Sequence, residues 1–543
     1  MAHQLLPGAG YSDAYLHGLP TTAFGSATSG SYLFSHPPKP GDLLEIKSED
    51  VNSEDGILCS GAPAELLYHI GSCDEPDADS KSLGADIEDS AEEGFTQYHA
   101  DKYSQDNPNG VINMGTSENK LCYDLLHQRL TQPDMFCLEP SLLQYPDWKG
   151  HPFLREEVAR FLTQYCRSVD PLKAENVSLH SFSLPLFHLC LLSFSVHVIL
   201  IPTPFYGVIT EDVHLYSSVR LFHAHLSAQV HGSANRPFHL TVDILETTLS
   251  KAKKEGVNVK AVILVNPHNP LGEMYSSEEM TDFLEFAKRH KLHAIVDEVY
   301  MLTVFDEAVS FHSVLSLDRL PDPQRTHVLW GLSKDFALAG IRVGTLYSQN
   351  RALVEALDQL GCFHGVPGPV QHQVARLLQD KDWISEEFLP TCRKRLRAAH
   401  SFLAEELRKM DVPHLHRPVG FFIWADFSKF LSEASFPAEL ELWRRFLRHR
   451  VVLSCGQAFS CSSPGWFRIV FTDQESRLHL GRLNLFFSLS FHFLILLRSP
   501  LCLSLSFSRS IFSFSFSLTI YVTISFTISF SISFSISFTH SLF

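Results

Sequence analysis

Three short runs set reactive side chains just past apolar segments. In AVILVNPHNPLG, Asn269 lies between two prolines, directly after the apolar run. In AIVDEVY, Asp297 closes an apolar run and Tyr300 follows three residues on. In VLWGLSKDFALAGIRVG, Ser333 and Lys334 follow a third run, and Arg342 comes eight residues after the lysine. A deprotonated lysine attacks carbonyls, and a carboxylate holds a proton on a basic nitrogen. An amide and a phenol donate to an oxyanion, and arginine grips phosphate or carboxylate. Burying a lysine and an aspartate in one place is costly unless each has a partner or a task.

One cofactor uses all of these groups. Pyridoxal 5'-phosphate has an aldehyde for a lysine, a pyridine nitrogen for a carboxylate, and a phenolic oxygen for an amide and a hydroxyl. Its phosphate takes arginine and backbone N–H groups. Singly, each residue has a plainer reading. A lysine at a helix start is usually a solvated charge, and an aspartate after a strand is often a cap or turn former. The joint spacing distinguishes the set.

The elements that must position these residues alternate in type. PFLREEVARFLTQYC carries Phe153, Leu154, Val158, Phe161 and Leu162 at helical spacing. VKAVILVNP is a short apolar run ending in a turn, a buried strand. SSEEMTDFLEFAKRHK opens with the capping-box pair Ser276 and Glu279 and has one apolar stripe, Met280, Phe283, Leu284 and Ala287. LHAIVDEVY and THVLWGLSKD read as further strands. Strand, helix, strand at these lengths implies an α/β fold with a mostly parallel sheet, whose functional groups gather at the carboxyl ends of the strands.

The motifs NPNGVINMGTSENKL, YPDWKGHPFLREEVARF, IPTPFYG, NPHNPLG, IVDEVY, LSKDFALAGIRVG, GFFIWADF, ELWRRFL and PGWFRIVF together resemble the pyridoxal-phosphate-dependent aminotransferase family. Within it the chain is similar to 1-aminocyclopropane-1-carboxylate synthases and their vertebrate synthase-like relatives. The resemblance runs from about Asn107 to Asn484. It implies an aspartate-aminotransferase-like fold, a large domain with a mostly parallel sheet plus a smaller α/β domain. It implies that Lys334 is the Schiff-base lysine and proton shuttle, Asp297 the pyridinium partner, and Asn269 and Tyr300 the phenolic-oxygen contacts. Tyr206 matches the ring-stacking aromatic, and Arg342, with Ser333, the phosphate contacts. Arg468 matches the arginine for a substrate α-carboxylate, and Glu118 an acidic residue at the substrate mouth. The apolar flanks of Arg468 independently argue that it points into a buried site. A small amino-acid substrate, transaminase or lyase chemistry and a homodimer follow from the same resemblance.

Three departures concern the phosphate. No glycine occurs between Gly150 and Gly207, where the family has a glycine-rich turn. Gly331 replaces a hydroxyl residue three positions before Lys334, and Trp148 replaces a tyrosine that reaches a neighbouring subunit's phosphate. A phosphate dianion needs several donors to offset lost water. Weak cofactor binding, or an inactive relative that serves as a binding or scaffold protein, is the alternative reading. The Trp148 departure also argues against true synthase activity.

Composition bounds the rest. The chain has 543 residues with a net charge of -16. From Glu45 to Glu93 there are 15 acidic residues against Lys47 and Lys81, so the remainder is close to neutral. That excludes a nucleic-acid-binding face. The 11 cysteines include no CxxC pair, so neither a metal site nor a redox dithiol is expected, and the thiols read as reduced in the cytoplasm. Residues 1–104 read as a disordered acidic tail. Residues 105–486 read as the globular part, the large portion about 150–350 and the small portion 105–149 plus 351–486. In residues 487–543 Ser and Thr alternate with Phe and Ile, and no charge follows Arg509. A membrane segment or an aggregation-prone strand is conceivable there, but pyrimidine-rich codons for these residues favour a non-native tail. The final helix of the fold is expected to be cut short where that tail begins. The uncharged stretch Val177–Leu200 has the same Ser/Phe/Leu character and occupies the place of the phosphate turn.

Overall fold

The computed structural model describes residues 93–496 apart from residues 95, 182–197, 218, 230–235 and 362–363. The acidic segment before residue 93, the Ser/Phe segment after 496 and the middle of the stretch at 177–200 lie outside the described residues.

The chain enters through β1 (Ile112–Asn113), α1 (Tyr123–Leu130) and α2 (Pro152–Tyr165). α2 has a proline in its first turn, where the missing N–H costs nothing, and it buries Leu154, Val158, Phe161 and Leu162 as its spacing predicts. The main sheet then forms from β2 (Val177–His180), β3 (Val198–Thr203), β4 (Arg220–His225) and β5 (Val259–Val265), with α3 (Val208–Ser217) and α4 (Val242–Lys254) between strands. α5 (Ser277–Arg289), β6 (His293–Asp297), β7 (Thr326–Gly331), the single turn α6 (Leu332–Asp335) and β8 (Gly344–Ser348) complete it. α5 begins with the capping box read from sequence, since Ser276 Oγ accepts from Glu279 N and Glu279 Oε2 from Ser276 N.

The seven strands lie in the order β2-β8-β7-β6-β5-β3-β4. The five from β7 to β4 are mutually parallel, and β8 runs antiparallel to both β7 and β2. Parallel pairing requires crossovers, and these cover both faces, so β5 buries every residue except Lys260. Alternate side chains serve opposite faces. Ile199, Ile201, Ile263 and Ile295 pack with Phe205, Ile209, Val213, Leu353 and Leu357, whereas Leu200, Val262, Leu264 and Val296 join the larger core.

The second portion contains α7 (Arg351–Leu360), α8 (Gly368–Gln379), α9 (Leu389–Lys409), β9 (Phe422–Asp426), α10 (Phe436–Arg448), β10 (Val451–Val452), β11 (Ser454–Cys455), β12 (Trp466–Val470) and α11 (Glu475–Leu496). β11, β12 and β9 form an antiparallel sheet in that order, and β10 pairs with β1, tying the amino-terminal segment to this portion.

Two expected boundaries move. Residues 96–100 are helical, inside the segment expected to be a tail. Glu93 pairs with Arg444 at 3.4 Å and Asp101 with Arg450 at 2.5 Å, so charge pairing to α10 and its end extends the fold below residue 105. The last helix is not cut at 486. It runs to Leu496, and Leu478, Leu485 and Leu489, spaced seven and four residues apart, are buried along one face. Helical periodicity thus overrides the Ser/Phe composition locally. Leu485→Ala should cost about 2–4 kcal/mol in denaturant unfolding, the price of a core cavity; an unchanged midpoint would mean the extension does not pack.

Candidate active site

Strands β3, β5, β6 and β7 are parallel, so their carboxyl ends share one edge of the sheet. Tyr206 follows β3, Asn269 follows β5, Asp297 is the last residue of β6, and Ser333 and Lys334 occupy α6 after β7. Arg468 arrives from the middle of β12, and Gly115, Ser117 and Glu118 from the loop between β1 and α1.

Hydrogen bonds join these segments. Lys334 Nζ donates to the Ser117 carbonyl at 2.6 Å. The Ser117 hydroxyl and the Tyr300 hydroxyl are 2.8 Å apart, and the lysine nitrogen is 5.9 Å from the centre of the Tyr300 ring. Arg468 Nη1 donates to Asn269 Oδ1 at 2.9 Å and Nη2 to the Gly115 carbonyl at 2.5 Å. The guanidinium is 4.8 Å from the Phe459 ring centre and 5.4 Å from that of Phe422, so aromatic faces replace part of its lost hydration.

Burial governs the charges. It pushes the Lys334 ammonium down to about 8, helped by Arg468 and Arg342 and opposed by Glu118 and Asp297. It pushes Asp297 up to about 6, opposed by the Val299 N–H, which donates to Oδ1 at 3.2 Å, and by Lys334. The Arg468 guanidinium is lowered by burial, with Tyr300 and Tyr206 acting against the shift. Tyr300 is raised by burial. Lys334 and Asp297 nevertheless form no ion pair among the described residues.

Three buried acids that the sequence reading missed brace this set. Asp335 accepts from Trp330 Nε1 at 2.8 Å and from the Leu302 N–H at 3.0 Å, pinning α6 to the turn that bears Tyr300. Glu298 accepts from Ser313 Oγ at 2.5 Å and from the Val314 N–H at 2.9 Å, and burial raises it to about 8. Glu439 accepts from the Gln457 and Gly465 N–H groups at 2.8 and 2.6 Å, fixing the approach to β12. Their only signal was adjacency to a motif residue or a place in a helix.

The phosphate end is thinner. Arg342 has left-handed backbone (φ +58°), is partly buried, and donates through Nη1 to the Ala339 carbonyl at 2.8 Å. Ser333, next to Lys334 in sequence, is partly buried. Trp148 lies against Gly361, where a Cβ would meet the Trp148 carbonyl oxygen at 2.8 Å. The stretch in the position of the family's glycine turn forms β2 and the start of β3 at its two ends, and its centre lies outside the described residues.

A lysine, an acid and an amide at adjacent parallel strand ends, under an arginine from a second sheet, define a class of protein. The sequence pattern of aminotransferase class I and II matches residues 110–482, and the chain belongs to that family. Within it, the chain is 61% identical over 394 residues to 1-aminocyclopropane-1-carboxylate synthase-like protein 1 of Takifugu rubripes. That alignment covers 72% of this chain but spans 64% of the Takifugu protein. It is 45% identical to human "Probable inactive 1-aminocyclopropane-1-carboxylate synthase-like protein 2", covering 80% of this chain and 77% of that protein. Among solved structures, an aromatic aminotransferase from Pyrococcus horikoshii OT3 shares the fold, with a TM-score of 0.57 at 21% identity over 75% of this chain and 100% of the other.

The ring end fits the family's cofactor. Arg468 occupies Asn269 Oδ1, which leaves the amide nitrogen as the end free to donate to a phenolic oxygen. Arg468 Nε is buried without a partner, and Lys334 and Asp297 are partly accessible. Two consequences can be measured. Trinitrophenylation of Lys334 should rise with a midpoint near pH 8 rather than near its ordinary 10.5; a midpoint above 10 would contradict the burial described. Asp297 has a raised pKa, so its carboxylate costs stability above about pH 6, and that cost disappears as pH falls below the ordinary value of 3.8. Asp297→Asn should therefore stabilise the cofactor-free protein at pH 7 by about 1–3 kcal/mol, with a gain that shrinks as pH falls through about 6 and is gone below pH ~4; a destabilised variant would refute this.

Proposed function

We propose that this chain binds pyridoxal phosphate through Lys334 and acts on a small amino acid, as a transaminase or lyase without cyclopropane-forming activity. One observation carries the reading: Lys334 and Asp297 are opposite charges that act on each other in one site yet form no ion pair among the described residues, so neither is committed to the other. Members of the family depend on this cofactor. Once bound, it supplies an electron sink for charge developing at the amino acid's α-carbon.

The chain's own groups have separate tasks. Lys334, with a pKa near 8, holds or releases a proton close to neutral pH, as an acid–base group needs. Asp297 would hold the proton of a ring nitrogen, and Asn269 and Tyr300 would donate to a phenolic oxygen. Tyr206 would stack on the ring, and Ser333 and Arg342 would bind phosphate. Arg468 offers its unpartnered Nε to an α-carboxylate, and Glu118, whose charge acts on Lys334, lies at the mouth. A homodimer is supported by the exposed apolar residues Phe136, Leu138, Leu143 and Tyr145 just before Trp148, a surface that a second copy would cover. The free thiols suit a cytoplasmic location. No helix among the described residues is long and apolar enough to cross a membrane.

A second reading, an inactive binding protein, is favoured by the glycine-free interval 151–206 and by Gly331, which leave few donors for the phosphate. Absorbance titration separates the two. Cofactor added to the purified protein should give a near-visible band that Lys334→Ala removes and that a subset of amino acids bleaches. Arg468→Lys should weaken the response to amino acids about 10- to 100-fold, since lysine cannot fork onto a carboxylate. A band that no amino acid alters would establish the second reading, and no band at stoichiometric cofactor would overturn the first.

A further inference from the structure

Two buried thiols lie behind the site and take no part in the chemistry above. Cys122 occupies the N-cap position of α1 and is fully buried, and Cys392, in the first turn of α9, is 5% exposed. Contacts between the 119–124 segment and α9 bring them face to face. Asn119 Nδ2 donates to Cys392 Sγ at 3.4 Å. Arg395, three residues beyond Cys392 and on the same face of α9, donates to the Leu121 carbonyl at 2.6 Å and forks onto the Asp124 carboxylate at 2.5 and 2.7 Å. The chain on both sides of Cys122 is thus fastened to the face of α9 that carries Cys392, which brings each thiol within reach of the other's charge.

The two sulfurs differ chemically. A thiol at a helix N-terminus sees unpaired N–H groups, and a nearby guanidinium adds positive charge; both favour the thiolate. Cys122 is held below the ordinary thiol range, first by its contact with Cys392 and then by Arg395, against the effect of burial. Cys392 is pushed well above that range by the same contact and by burial, and so keeps its proton. A thiolate beside a second, resolving thiol is the arrangement of a redox-sensitive pair. Cys122 is fully buried, but α1 has no side-chain cap there and the adjacent Tyr123 is 51% exposed, so the first turn of α1 is where local opening would have to admit an oxidant.

We propose that Cys122 and Cys392 form a reversible disulfide, with Cys122 as the attacking thiolate and a hydroperoxide such as hydrogen peroxide as the oxidant. The Cys122 sulfur attacks a peroxide oxygen, the O–O bond breaks and hydroxide leaves, giving a sulfenic acid. The Cys392 thiol gives up its proton and its sulfur attacks the Cys122 sulfur. The S–O bond breaks and a second hydroxide leaves. With the protons of the two thiols, two waters form, and the dithiol loses the two electrons that the peroxide gains. The bond ties to α9 the loop whose Gly115 and Ser117 carbonyls accept from Arg468 and Lys334, so oxidation fixes the backbone that holds both site cations.

The test treats the full chain with hydrogen peroxide, alkylates remaining thiols after unfolding, and maps tryptic peptides by mass. The expected result is a Cys122–Cys392 linked peptide, two hydrogens lighter than the sum of its parts, that dithiothreitol separates. Cys392→Ser should leave Cys122 as a sulfenic acid captured by dimedone, whereas Cys122→Ser should leave Cys392 uncaptured. Both cysteines recovered alkylated, or Cys122 found as sulfinic acid with no linked peptide, would overturn the proposal. Should either variant fail to fold by circular dichroism, the linked-peptide measurement on the unmodified chain still decides.

Discussion

The buried guanidinium of Arg468 is the constraint on which the site depends. A cation that is 4% exposed must recover its lost hydration from the protein. It does so by reaching Asn269 on the main sheet and Gly115 on the amino-terminal loop from a strand of the second sheet. Three chain segments distant in sequence are thereby fixed to one group. Lys334 adds a second tie to the same loop through the Ser117 carbonyl, and Ser117 passes it on to Tyr300. Removing the arginine would leave Asn269 free to turn its amide and would loosen the loop that the lysine leans on.

Burial lowers both Lys334 and Arg468, and the charge of Arg468 lowers Lys334 further. Such a site is poised to take an anion. The described residues set Asp297 and Glu118 at its margins without ion-pairing them to either cation. Behind it, Asp335, Glu298 and Glu439 accept from backbone N–H groups, an indole N–H and the Ser313 hydroxyl, so they hold shape rather than charge balance. The acids that surround the site thus divide between those facing the reactive groups and those that brace the walls.

Much of this was legible in the sequence because strands and reactive residues coincide. Apolar runs ending at Val265, Asp297 and Gly331 marked parallel strands, and the residues just past them fell at one sheet edge, as period and crossover rules require. The capping box at Ser276 and the stripe of α5 were equally plain. Arg468 was legible from its apolar flanks. What the sequence hid were contacts made by backbone groups, such as the Gly115 and Ser117 carbonyls, because a carbonyl has no letter of its own. The ends of the fold were misjudged for a related reason. Composition at 96–100 and 487–496 reads as tail, whereas Asp101–Arg450 pairing and the buried Leu485 and Leu489 are decided by tertiary partners.

The central proposal is that Lys334, among the described lysines, is the one set for covalent capture of pyridoxal phosphate, despite a phosphate end with few donors. Borohydride reduction after brief incubation with the cofactor, followed by peptide mapping, tests it most directly. The account predicts a phosphopyridoxyl mass on the peptide containing Lys334, with the surface lysines Lys251, Lys288 and Lys409 unmodified. Label spread over those surface lysines, with Lys334 unmodified, would contradict it.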